Sequence, residues 1–194
     1  MNAQELFLLR YRNSHPGMSR ALLADLTEEQ MRTPPCPGVN TLTWLVWHMA
    51  RVEDIGLNRF VSDGEQVFDG GGWGTRFGVT RRDFGTGMTP YEVLDLSARI
   101  DVEALHAYWD AVEERTISVV QDLHPEDLGT ILDATHVHRV FAHDEVVTPD
   151  ALWVRDYMEG ETRGFFLIHL GLTHIFVHRG EALAIRGLLG HPGR

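Results

Sequence analysis

Between residues 101 and 123, Val102, Leu105, Trp109, Val112, Thr116, Val119 and Leu123 recur close to heptad spacing. That spacing lays one apolar stripe along a helix of about six turns, which must be covered by stripes on other elements. Residues 3–13 and 17–25 read as one helix interrupted near Pro16, residues 41–61 as a second with Asn40 as its N-cap, and residues 162–189 as the last. A shorter helix opens at Thr89, with the threonine as cap and Pro90 in the first helical position. No strand–helix alternation is present, and 194 residues suffice for one core but not comfortably for two. The expectation is an all-α helical bundle over residues 1–194 as a single domain, with functional side chains projecting inward from facing helices.

Two segments fall outside this pattern. Residues 62–89 read as a long loop whose glycines cluster in "DGGGWGTRFG" and "FGTGMT". Residues 130–150, with β-branched residues and "THVHRVFAHDE", read as an irregular excursion with room for a short strand.

Charge and residue types narrow the function. The net charge is −11 and no basic block occurs, which argues against a nucleic-acid partner. All 17 basic residues are arginines, so Schiff-base chemistry, a phosphate-loop lysine and a lysine general base are excluded. Cys36 is the single cysteine, which precludes an intramolecular disulfide, and "TPPCPG" places it away from any helix start that would activate the thiol. No apolar run reaches the ~20 uncharged residues that cross a bilayer. The opening "MNAQELFLLRYRNS" lacks a basic-then-apolar leader pattern, so a cytoplasmic location without a membrane partner is expected.

Histidines interrupt two of the apolar stripes. His174 and His178 lie four apart, about 40° from each other around a helix, on a face that also carries Leu167, Leu170, Val177, Glu181, Ile185 and Leu188. His48 breaks the stripe of Thr41, Trp44, Leu45, Val52 and Ile55. Buried imidazoles need partners, and an i,i+4 pair joined by a third imidazole is a set that a divalent metal satisfies. Spacing by itself leaves hydrogen-bonded core histidines as the alternative. His169 is expected about 180° from His178, on the opposite side of the helix. Glu53 and Asp54 turn away from the His48 face and are expected at the helix surface or an interface. His136, His138 and His143 form a rival set, because alternate residues share a face on a strand, but their polar surroundings favour a solvated loop.

"WLVWHMARVED", followed far downstream by "THIFVHRGEALAIRG", resembles the DinB-like family. More broadly the pair resembles the superfamily of thiol-dependent S-transferase-like bundles that includes mycothiol-dependent maleylpyruvate isomerase. The resemblance implies a four-helix bundle with a long crossover, commonly a homodimer, and a metal triad of His48, His174 and His178. Family members often carry Gln after "H-R-G"; Glu181 stands there in this chain and makes a carboxylate available to support a ligand or serve as a fourth one.

The implied cofactors are one divalent metal, Zn, Ni or Fe, and a small thiol such as mycothiol or bacillithiol. The implied activity is transfer of that thiol to a small-molecule electrophile. With water in its place the same site would be a hydrolase, and a stress-associated metal-binding protein without turnover is the non-enzymatic alternative. Arg76, Arg81 and Arg82, in the glycine-rich loop 69–87, are expected near the mouth of the site, where they would hold an anionic thiol or substrate.

Overall fold

The structure is a computed structural model that describes residues 1–192. Helix α1 (Ala3–Arg12) starts at Asn2, whose side chain accepts from the Glu5 N–H while Glu5 accepts from the Asn2 N–H. Helix α2 (Leu42–Ile55) continues as a π-helical turn over Gly56–Val61. Its cap is Thr41, not Asn40: the threonine hydroxyl accepts from the Trp44 N–H at 3.0 Å, and Asn40 is engaged elsewhere. Helix α3 is Val102–Asp122 and α4 is Ala134–Asp144. Helix α5 begins as Arg163–Ile168, passes through a π turn at His169–Thr173 and ends as His174–Leu188.

Shorter helices fill the connections. Thr89 and Pro90 start Pro90–Arg99 as their chemistry predicts. The glycine-rich loop holds two single-turn helices, Val67–Gly70 and Trp73–Phe77. The expected excursion at 130–150 is mostly α4, opened by an Asp133 cap. Among the described residues the β pairing reduces to one antiparallel bridge, Ile131 with Thr162.

Every residue of α2 from Leu42 to Ile55 is buried. The helix is the axis of the molecule, enclosed by α3, α5 and the helix Met18–Leu23. One end packs in a cluster around Trp47, Leu105 and Trp109, the other in a cluster around Ile55, Phe60 and Phe166. Each such side chain contributes roughly 1.5–3 kcal/mol on leaving water. Helices α2 and α5 approach tightly where their two π turns meet: a Cβ at Gly56 would fall 2.6 Å from Leu170 Cβ. Glycine is required there. Among the described residues no helix is long and apolar enough to cross a membrane.

Enclosure overturns the surface reading of Glu53 and Asp54, whose side chains are fully buried. Glu53 accepts from the Tyr11 and Thr116 hydroxyls, the latter at 2.7 Å, and lies 2.9 Å from His15 Nε2. Asp54 accepts from Arg51 (3.1 Å), Tyr108 (2.6 Å), Asn58 (2.7 Å) and the backbone N–H groups of Val67 and Phe68. These bonds tie α1, α3 and the glycine-rich loop to the central helix, a use of charge that a helix with a solvent face would not need.

Candidate metal centre

Helix α5 places its imidazoles in consecutive turns. His174 and His178 follow ordinary α spacing, with ring centroids 4.5 Å apart. Below them, the His174 N–H bonds the His169 carbonyl five residues back. A five-residue turn puts His169 beneath His174 on the same face, and their ring centroids are 6.4 Å apart. The expected opposite placement assumed 3.6 residues per turn throughout. The widened turn corrects it. Val177 and Leu188, expected on the inner face, are instead 63% and 67% exposed.

Helix α2 brings His48 to the same point. Its ring centroid lies 4.9 Å from that of His174 and 4.7 Å from that of His178. One ligand nitrogen from each of the three lies within 4.8 Å of the others, an arrangement that could hold a metal ion. His48 stacks on Trp44 (4.6 Å, 8° between planes), and its Nδ1–H donates to the Phe84 carbonyl. Gly85, at φ +86°, lets the chain make that approach, since a Cβ there would come within 2.6 Å of the Trp47 ring. His178 donates from Nδ1 to Glu181 at 2.8 Å, and the other Glu181 oxygen accepts from Asn40 at 3.0 Å. In His48 and His178 this leaves Nε2 with a free lone pair. His174 Nδ1 is buried and has no hydrogen-bond partner among the described residues.

Electrostatics keep His48 and His174 neutral. Burial, with His178 alongside, pushes His48 down to about 3. Burial and the neighbouring His48, His178 and His169 push His174 down to about 2. His169 is lowered by burial. The His178 bond holds the Glu181 carboxyl below its ordinary range against the opposing effect of burial. Neutral rings with lone pairs exposed and two of three tautomers set by outer partners are what a divalent ion requires of histidine ligands. The residues present fit the ion.

The cluster opens into a cavity of about 480 Å³, lined on one side by Trp44, Val52 and Leu170, on another by Phe84–Met88, and at its outer wall by Trp153, Tyr157 and Met158. The glycine-rich loop therefore divides. "FGTGM" forms part of the cavity wall, whereas none of the three arginines lines it. Arg76 lies over the Trp73 ring at 3.6 Å; Arg81 bonds Asp83 and Glu92; Arg82 bonds Asp69. The rival histidines are dispersed by α4, where alternate residues face apart. His136 bonds the Arg59 carbonyl, His138 pairs with Glu159, and His143 is exposed. Cys36 is exposed and does not line the cavity.

Residues 13–182, which include both α2 with His48 and α5 with the histidine pair, match the model of the DinB superfamily. The chain belongs to the DinB superfamily. This DinB-superfamily chain is similar in fold to the crystal structure of the conserved protein of locus from Enterococcus faecalis, at 21% identity and a TM-score of 0.68, covering 98% of this chain and 99% of that one. At that identity the likeness speaks for the fold. No curated protein matches the chain.

Proposed function

We propose that the chain is a metal-dependent enzyme that joins a small bacterial thiol, mycothiol or bacillithiol, to a small electrophile. The supporting observation is unmatched valency at the floor of an open cavity: three imidazoles converge, two are oriented by outer partners, and the third, His174, has a buried Nδ1 with no hydrogen-bond partner among the described residues. His48, His174 and His178 would hold a divalent ion, Zn, Ni or Fe, whose contribution is to acidify a thiol or water at neutral pH. The chain's own part is positional. The Phe84 carbonyl and the Glu181 carboxylate set the planes of His48 and His178. Glu181 already accepts from His178 and Asn40, which suits it to orienting a ligand and not to replacing one. Trp44, Val52 and Leu170 keep the reacting end of the cavity apolar. Cys36 stands outside it, so the sulfur nucleophile belongs to a co-substrate.

Hydrolysis is the second reading. One observation favours it: among the described residues no arginine lines the cavity to receive an anionic thiol. Metal analysis of the purified protein, followed by loss of free thiol in the presence of an electrophile, tests both. The expected result is ~1 ion per chain and metal-dependent consumption of mycothiol or bacillithiol. Ester cleavage without thiol would move the assignment to a hydrolase. Protein that carries no metal and turns over neither substrate would refute both.

A further inference from the structure

The cavity lining departs from the rest of a chain in which 23% of residues are charged. Among the described residues its lining contains no arginine, aspartate or glutamate, and the three arginines of the adjacent loop are held elsewhere, Arg81 and Arg82 by carboxylates and Arg76 on the Trp73 ring. The helix Trp153–Met158 lines the cavity with Trp153, Val154, Tyr157 and Met158, positions that share a helix face. Trp153 is 62% exposed, and Tyr157, although packed beside Phe165 and His169, is still 50% exposed, so two large aromatic surfaces remain partly open at the cavity. Between this wall and the metal end lies His169, 5.8 Å from Tyr157 and 6.4 Å from His174 by ring centroids. Its ring makes no hydrogen bond to protein among the described residues.

We propose that this cavity takes an uncharged aromatic substrate, its ring against Trp153, Tyr157 and Met158 and a polar atom near its reacting end facing His169. For its chemistry the inference rests on the metal-centre reading; for binding it stands on the lining alone. The volume of about 480 Å³ is that of a small-molecule site. In the metal-free cavity an ion would lose its water without gaining a counter-charge, whereas a flat neutral ring would gain apolar contact and offset stacking.

Calorimetric titration of the whole chain, zinc-loaded and metal-free, with methoxynaphthalene and with naphthalenesulfonate provides the test. The two share a ring, and the sulfonate is a poor metal ligand. The neutral compound is expected to bind both forms, and the sulfonate to bind metal-free protein at least about tenfold more weakly. Trp153→Ala should weaken the neutral compound about fivefold while metal content stays unchanged. Equal or tighter sulfonate binding by metal-free protein, no binding of the neutral compound, or indifference to Trp153→Ala would overturn the proposal. If the neutral ring binds as expected while zinc-loaded protein consumes no thiol and cleaves no ester, the substrate-class assignment stands and the catalytic reading falls.

Discussion

Helix α2 carries buried polar groups on two sides, and the protein treats them differently. Around Glu53 and Asp54 the carboxylate oxygens are matched, Asp54 by five donors. Around His48 the polar atoms of two helices are aimed at one another with a lone pair to spare, and a cavity reaches them. Loose ends do occur on the first side, at His15 Nδ1 and Arg51 Nε, but neither residue lines that cavity. Desolvated polar groups are costly unless partnered. Folding alone accounts for the carboxylates and does not account for the imidazoles. Burial is common to both regions; convergent unmatched valency beside accessible space belongs to one.

The largest effect that separates them is on stability. Asp54→Ala would leave Arg51 buried without its carboxylate and should cost about 3–5 kcal/mol, read from the denaturation midpoint. His174→Ala should change the stability of metal-free protein by ~1 kcal/mol or less, because no hydrogen bond is lost, yet weaken metal binding more than about 100-fold. A metal-free His174→Ala protein as unstable as Asp54→Ala would erase the distinction between the two regions. Glu181→Gln keeps the size of the side chain and removes the charge behind His178; a loss of metal affinity of about 10- to 100-fold is expected by competition with a chelator.

Acidification sharpens the contrast further. His48 and His174 are held low in the folded chain, so the unfolded chain binds protons that the folded one refuses. Stability of metal-free protein should therefore fall as pH drops below the unfolded histidine value of ~6.5. Glu53 is raised by burial but lowered more by His15, Tyr11 and Thr116, with a net shift below its ordinary value. Its contribution is present above the unfolded carboxyl value of ~4.5 and is lost as pH falls from there through its folded value. His48→Ala should flatten the upper part of this pH dependence and leave the carboxylate part, measured by denaturation from about pH 6.5 to below about 4.5. The smallest effect is expected from Cys36→Ser: stability within about ±0.5 kcal/mol and unchanged metal content.

The helices at 102–122 and 163–188 were legible because both have capping residues and long apolar periods, and the three converging histidines were legible because they break such periods. Glu53 and Asp54 were misread because a helical wheel assigns polar residues to water. The available signal was Val46, Trp47, Met49 and Ala50, which extend the apolar character of α2 beyond its main stripe and leave no solvent side. The helix α4 was obscured by its β-branched residues, whose weak intrinsic preference gave way to burial of Val137, Val140 and Phe141. His169 was placed on the wrong side because nothing local in "HLGLTH" announces a five-residue turn; that turn appears where Gly171 meets Phe7 and Leu170 meets Gly56.

That turn also bears on how the chain tolerates changes of length. Elsewhere in α5, adding or removing one codon would swing everything on one side by about 100° relative to the other and pull His174 and His178 away from His48. Within residues 170–173 the helix already accommodates one residue more than an ordinary turn holds. Deleting one of them would leave His169 and His174 four apart in a regular α turn, still on one face, with both flanks in register. The π turn is thus the seam of the helix, the place where length can vary while the imidazoles stay aligned.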